Sequence, residues 1–545
     1  MILEQQSLEL LEFHQIRKML SVFANTEGGK ELIFSQDFDS DRSSLNYKKD
    51  LVSDWKSLLE SDLKQPEYFF PDIRFLKKLQ KNGTVLEGIE LADAAEFIKS
   101  AVLMKKFCLQ DADNLILTGA LQSEAESIPD LSAIAVSILK EINPDGTVKE
   151  NHPLLKSARS RIAGLHKKIT GIASAFLNES RDIWQSSVPV QRDGRTVLPL
   201  KTNFRGRIDG LVQEVSSSGA TIFIEPYSLV QLNNDMTYEQ SQLNQQIHKI
   251  YSNVTMILRG EADKFEQLLM QVSFIDSFYA RALFSIQNKC IRPGESDSGI
   301  IIHRGRHPLL GESAVPISLN YSEKITILIV TGPNAGGKTV TLKTCGLFVL
   351  MNQFACELPC EEGTSIGLFS EVFADIGDDQ SIEESLSTFS GHMKRISSIV
   401  NRSGTDSLVL LDELGSGTDP SQGSAIAMGV LEYFRQKKIS TIVTTHHSAV
   451  KNFGYTHKNA VNASVAFDSV TLKPTYEILE GVPGESHAIE IAQSCGLGSW
   501  IIEKAEQYYE GGDAAVSEMI NELERRQTEL FDKRAELEKA ENALK

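Results

Sequence analysis

One junction constrains this chain more than any other: an apolar run that ends directly in a glycine-rich loop. "ITILIVTG" (325–332) is a buried-strand pattern, and "GPNAGGKT" (332–339) continues it as G-x-x-x-x-G-K-[ST]. A strand, that loop and then a helix form the context that distinguishes a phosphate loop from a chance cluster of glycines. Two further apolar runs follow, "SLVLLDE" (407–413) and "ISTIVTTHH" (439–447). Between them lies a helical pattern, "PSQGSAIAMGVLEYFRQKK", with Asp419 placed to cap it and Pro420 in its first turn;. Strands alternating with helices predict a mainly parallel sheet covered on both faces.

The residue types around that junction suit nucleoside triphosphate chemistry. Gly332, Gly336 and Gly337 let backbone N–H groups turn toward phosphate oxygens, Pro333, Asn334 and Ala335 complete the candidate nucleotide-binding loop, and the following helix adds its positive end;. Lys338 would reach the outer phosphates, and the Thr339 hydroxyl would ligate Mg2+. Asp412, ending an apolar strand, would hold the Mg2+ through its hydration shell, and Glu413 would orient or deprotonate the attacking water. His446 is the candidate to sense the γ-phosphate, with Thr445 and His447 as competitors. The serine-rich stretch "DIGDDQSIEESLSTFSGHM" (375–393) precedes "LLDE", and "GSGTD" (415–419) follows it. That pairing looks like the ABC-type ATPases, in which two nucleotide sites form between two facing domains.

The remainder is mostly helical, with one change of texture. "LEFHQIRKMLSVFA" and "LADAAEFIKSAVLMKKFCLQ" repeat apolar residues every three or four positions;. "VPVQRDGRTVLPLK" (188–201) then places two strand-like runs around Asp193-Gly194, a hairpin signal, and "SSSGATIFIEP" (216–226) turns into a third strand;. A long helical pattern rich in Gln and Asn resumes at Leu229. The net charge is −18, yet residues 151–207 hold eleven cations against three acids. Lys156, Arg159, Arg161, Lys167, Lys168, Arg192, Arg195, Lys201, Arg205 and Arg207 are therefore candidates for nucleic-acid contact, although such a run is also what a solvated helix carries. The six cysteines are scattered and no histidine stands at ligand spacing beside Cys356 and Cys360, so a reduced, cytoplasmic protein is expected rather than a zinc site;. No apolar run reaches the roughly 18 residues that span a bilayer, and no membrane partner is expected. After Ala514, Leu523, Leu530, Leu537 and Leu544 recur every seven residues along a half-polar seam, predicting the start of a weak coiled coil;.

"TGPNAGGKT", "LSTFSGHM", "LLDELGSGTDP" and "TTHH" together resemble the MutS family of DNA-repair ATPases. "DIGDDQSIEESLSTFS", "SSSGATIFIEP" and "GVPGESHAIEIAQSCGL" resemble its second bacterial branch, and the likeness covers essentially the whole chain. The resemblance implies an ATP- and Mg2+-dependent homodimer in which Ser387 approaches the γ-phosphate held by the opposite subunit. It implies a helical core (1–180), a basic β-hairpin insert (181–228), long lever helices (229–295), an ABC-type ATPase domain with a helical dimerisation end (296–512) and a charged helix (513–545). No mismatch-reading domain precedes the helical region, so mismatch repair proper is not expected. The branch is associated with branched DNA and suppression of recombination, and with rescue of collided ribosomes. Many members end in a small Smr nuclease domain, so endonuclease activity is expected only with a further C-terminal domain. A scaffold with low ATP turnover is the remaining alternative.

Overall fold

The apolar run at 325–332 forms the strand that organises the nucleotide-bearing half of the molecule. The computed structural model describes residues 5–80, 83–110, 117–332, 337–377, 388–468, 473–480, 489, 492–493 and 496–510. The chain opens with helices α1 (Gln5–Leu10), α2 (Phe13–Ser21), α3 (Glu27–Ser35) and α4 (Arg42–Leu59). Thr26 and Asp41 cap α3 and α4 by accepting from the amides of Gly29 and Ser44;. Helices α5 (Gly88–Cys108), α6 (Ala120–Glu126), α7 (Ser132–Glu141) and α8 (Pro153–Glu179) follow.

A small antiparallel sheet comes next, with β1 (Val190–Arg192), β2 (Arg195–Lys201), β3 (Gly210–Val215) and β4 (Thr221–Pro226) in the order β1-β2-β4-β3. Asp193 (φ +46°) and Gly194 (φ +76°) are both left-handed, the backbone of the tight hairpin that an Asp-Gly pair predicts;. The edge strand β3 was not legible in the sequence, because its residues are largely exposed and show no apolar alternation. The sheet is backed by α8 and by α9 (Tyr227–Gly260), where Ile169, Ala173 and Leu177 bury against Leu198, Leu200, Ile224 and Leu229. Helix α10 (Ala262–Asn288) completes the helical stretch.

Short strands β5 (Gly294–Glu295), β6 (Ile300–Gly305) and β7 (Ile317–Tyr321) lead to β8 (Ile327–Thr331) and helix α11 (Lys338–Gln353). Then come β9 (Ser365–Ile366), β10 (Glu371–Asp375), α12 (Thr388–Arg402), β11 (Ser407–Leu411), α13 (Pro420–Lys437), β12 (Ser440–Thr444), α14 (Ser448–Thr456), β13 (Ala460–Asp468), β14 (Lys473–Glu480) and α15 (Ser499–Glu510). Six of these strands form one sheet in the order β10-β11-β12-β8-β13-β14, parallel except for the last pair. Successive side chains of a strand face opposite sides, and both sides are covered. Leu328, Val330, Leu408, Leu410 and Ile442 enter one core, while Ile327, Ile329, Val409, Leu411 and Val443 enter the other;. Fold class thus agrees with the sequence reading.

Two compact units result: residues 1–65, 108–125 and 272–545 in one, 66–107 and 126–271 in the other. This division differs from a single helical region over 1–180. The reason is packing: Leu11, Phe13, Ile16 and Leu20 are buried in the same core as Leu347 and Leu350 of α11, and a Cβ on Gly346 would collide with Leu11 and Leu410. Among the described residues, no helix is long and apolar enough to cross a membrane. The heptad expectation over 514–545 lies outside the described residues.

Candidate nucleotide site

β8 ends at Thr331, and the loop that leaves it turns through two left-handed glycines. Gly332 has φ +133° and Gly337, the residue before α11, has φ +85°, conformations that side chains oppose;. Pro333, Asn334, Ala335 and Gly336 lie outside the described residues. Lys338 and Thr339 open α11. Lys338 is only 3% exposed, and its Nζ donates to the Gly332 carbonyl at 2.6 Å. Burial lowers its pKa, an effect opposed by Glu413 and Asp412 and reinforced weakly by Lys451;.

Asp412 follows β11 directly, between a hydroxyl of α11 and one of the neighbouring strand β12. Thr339 Oγ1 donates to Asp412 Oδ2 at 2.7 Å, and Thr444 Oγ1 donates to Asp412 Oδ1. The Thr444 hydroxyl also accepts from the Glu413 amide at 2.8 Å, so one side chain of β12 orients both acids. Glu413 has φ +48°, a left-handed backbone on a non-glycine residue, which costs about 1–3 kcal/mol and recurs where function fixes a side chain;. A hydroxyl touching a carboxylate at the mouth of a phosphate loop is the hard-oxygen donor set that Mg2+ takes, and the buried Lys338 cation suits an anionic ligand. The residues present therefore fit Mg2+ and a nucleoside triphosphate.

Two histidines follow β12. Their rings lie 4.4 Å apart; His446 is exposed and His447 is 8% exposed with no hydrogen-bond partner for its Nε2 among the described residues. Burial, His447 and Lys338 lower the pKa of His446, and Glu413 partly opposes them, which favours the neutral imidazole.

A third acid went unrecognised in the sequence. Asp375 ends β10 and is 2% exposed; its carboxylate accepts from Arg395 Nη1 at 2.8 Å and lies 2.9 Å from His392 Nδ1. Its carbonyl accepts from the Asp412 amide at 2.8 Å. Asp375 thus joins α12 to the strand end that carries the two candidate catalytic acids. The same helix begins beside the loop after Glu413, where a Cβ on Gly417 would lie 3.7 Å from Phe389 Cβ. Ser387 lies outside the described residues. The repeat of charged residues at 375, 392 and 395, across a strand end and one helix face, is the signal that would have found the cluster; Thr444 is hidden in "TTHH" by the histidines beside it.

The curated relatives decide the family. Endonuclease MutS2 of Halothermothrix orenii is 36% identical over 556 residues, covering 100% of this chain and 70% of that protein. The chain belongs to the MutS2 family. Endonuclease MutS2 of Acetivibrio thermocellus is 38% identical over 534 residues, and that of Symbiobacterium thermophilum 36% over 531. The MutS domain V family matches residues 328–511, which contain all but the first residue of β8, the phosphate loop and both acids. The chain spans 66–70% of the length of these three MutS2 proteins.

The cations of 151–207 divide into two groups. Arg195 is bound to Glu225, itself 0% exposed, by Nε and Nη2 at 2.9 and 2.7 Å. Arg159 donates to the carbonyls of Val148, Lys149 and Glu150, Lys201 to that of Asp182, Arg161 pairs with Glu239, and Arg192 pairs with Glu214 over the Phe223 ring. Arg195, Arg159 and Lys201 are part-buried and bonded within the fold, so of the nucleic-acid candidates they are the ones with intramolecular roles. Lys156, Lys167, Lys168, Arg205 and Arg207 are exposed and form no ion pair among the described residues.

Proposed function

We propose that this chain is an ATP-hydrolysing, homodimeric clamp that binds branched or otherwise structured DNA and suppresses recombination. The observation that carries the ATPase reading is the contact of Thr339 with Asp412 beside the buried Lys338 and the strained Glu413. In this reading Lys338 binds the outer phosphates, and Thr339 and Asp412 hold Mg2+. Bound Mg2+ neutralises phosphate charge and so favours attack by water. Glu413 accepts the proton of that water, kept in place by the Thr444 bond to its amide. His446 hydrogen-bonds the γ-phosphate. The glycines Gly332, Gly336 and Gly337 let the loop's backbone N–H groups face the phosphates, which leaves out Pro333, a residue with no N–H;.

The dimer follows from the family resemblance, with Ser387 completing the partner's site. Ser387→Ala should lower turnover while ATP binding by an isolated monomer stays intact; loss of monomer binding would mean that the serine serves its own pocket. DNA contact is supported by the exposed cations Lys156, Lys167, Lys168, Arg205 and Arg207 in an otherwise acidic chain, since phosphate binding needs local positive charge. The nuclease activity in the relatives' name is proposed for this protein only if a further C-terminal domain accompanies these residues.

The deciding experiment compares ATP turnover alone, with four-way junction DNA and with collided ribosomes. Stimulation by the junction is expected. Stimulation by ribosomes only would replace the DNA reading with ribosome rescue, and slow turnover unaffected by either would favour a scaffold.

A further inference from the structure

The exposed face of α9 is chemically unusual. Thr237, Gln240, Ser241, Asn244, Gln245 and His248 are all exposed, and their three- and four-residue spacing puts them on one stripe of the helix;. Solvent-facing helix stripes commonly carry Lys and Glu, which favour the helix and keep it soluble. Here the only full charge between 237 and 248 is Glu239, and it is neutralised by Arg161 at 2.8 Å. The stripe is also not flat. The hairpin tip at Asp193 and Gly194, together with Met236 and this stripe, lines an open groove of about 690 Å³. That is within the roughly 300–1,000 Å³ range of ligand sites.

The lining decides what such a groove can take. It offers amide and hydroxyl groups that both donate and accept, one imidazole, and the single acid Asp193. With no lysine or arginine in the lining, it does not favour a phosphate. Amides and hydroxyls suit the edges of nucleobases: Asn and Gln match adenine in a bidentate manner, and Ser and Thr match any base. A base inside a duplex cannot reach such a recess, whereas an unpaired one can. The neighbouring positions of α9 supply what a single strand needs beside it. Tyr238 is 63% exposed and lines a second cavity of about 380 Å³ with Lys168, Leu165 and Gly164 of α8. An exposed aromatic ring and a free lysine are the stacking platform and phosphate contact that single-strand binders combine.

We propose that the groove between the β1–β2 hairpin tip and the amide stripe of α9 binds unpaired nucleobases of a single-stranded segment, with Tyr238 stacking on an adjacent base and Lys168 contacting its phosphate. This rests on the nucleic-acid reading above and refines it: the recognised feature is an unpaired strand, as found at a DNA branch or in folded RNA.

The test uses the full chain and measures binding of a fluorescent single-stranded oligonucleotide, its DNA and RNA forms, and a duplex of equal length, by anisotropy at several salt concentrations. Gln240→Ala/Asn244→Ala should weaken single-strand binding about tenfold, the size of one lost bidentate contact, with an unchanged salt slope and less than a twofold effect on the duplex. Tyr238→Ala should weaken the same form about tenfold as well. All these side chains are exposed, and among the described residues their only side-chain hydrogen bond joins Gln240 to Asn244, so folding and basal ATP turnover should not change. Preference for RNA over DNA would identify the 2′-hydroxyl as part of the recognised chemistry. Wild-type binding to single strands that the variants leave unaltered, or an equal loss for single strand and duplex, overturns the groove assignment alone. Failure of the wild type to bind any nucleic acid overturns the function reading beneath it.

Discussion

Two buried or half-buried cations show how differently the halves of this molecule use charge. Lys338 lies under a phosphate loop, 3% exposed, between a strand-end acid pair and the start of a helix. Arg195 lies in the small sheet, bonded by two nitrogens to a fully buried Glu225 that also accepts from Asn233 and Gln213. At the first, Thr339 and Thr444 donate to the two oxygens of Asp412, and Thr444 accepts from the Glu413 amide, at the end of a phosphate loop. At the second, Arg195, Asn233 and Gln213 all donate to the one buried carboxylate. A buried cation beside hydroxyl-held acids at a phosphate loop reads as chemistry, and one enclosed by its partners reads as architecture.

The most severe way to break that comparison is to remove Lys338. Lys338→Ala should reduce ATP turnover by about a thousandfold, the upper range for losing one preorganised transition-state donor, while the melting temperature is maintained or raised because a desolvated cation has been removed. Phosphate release and thermal unfolding check both. Next, Arg195→Ala should lower unfolding free energy by about 3 kcal/mol, since it leaves Glu225 buried without its cation. The sign with pH follows from Glu225. Burial alone would raise its pKa, but the bonds from Arg195, Asn233 and Gln213 and the Arg195 charge outweigh it, and the net shift is downward. The pair therefore stabilises the fold above the ordinary carboxylate range and loses that contribution as pH falls through the lowered pKa. Chemical denaturation from pH 7 downward should show a penalty for the variant that is largest near pH 7 and shrinks as pH falls below the ordinary carboxylate range and through the lowered Glu225 pKa;.

A finer test concerns Asp375, which touches no reacting atom and acts through α12 and the Asp412 amide as a positioning residue. Asp375→Asn keeps the carbonyl contact and weakens the hold on Arg395 and His392. It should lower kcat about tenfold with little change in KM for ATP, the pattern of an interaction needed after binding. An equal rise in KM would assign Asp375 to nucleotide binding instead. The smallest effect is expected where the charge is most exposed. Lys167→Ala/Lys168→Ala should leave stability within about 0.5 kcal/mol and reduce the slope of log affinity against log salt for DNA by about one per lost phosphate contact. An unchanged slope would remove these lysines from the interface.

The contrast also explains what the sequence conveyed. The sheet and the phosphate loop were legible because their constraints are local: a run of apolar residues, glycines at fixed offsets, a lysine and threonine at a helix start. Asp412 and Glu413 were legible because they end such a run. Thr444 and Asp375 were not, because their importance lies in a neighbouring strand and in a helix 17 to 20 positions away. The cation count of 151–207 pointed to a surface, but counting does not distinguish Arg195, held by Glu225, from Lys167, which faces water. Residues 1–65 read as part of a long helical region because amphipathic periodicity records that a face is buried and not which core buries it.

In the proposed mechanism Glu413 takes the proton of the attacking water while Lys338 holds the outer phosphates and Thr339 and Asp412 hold Mg2+. The most direct test is a single-turnover hydrolysis measurement on Glu413→Gln with ATP and Mg2+, with nucleotide binding followed separately. Wild-type binding with hydrolysis slowed by about a hundredfold or more is expected, the usual contribution of a general base. Hydrolysis at the wild-type rate would contradict it.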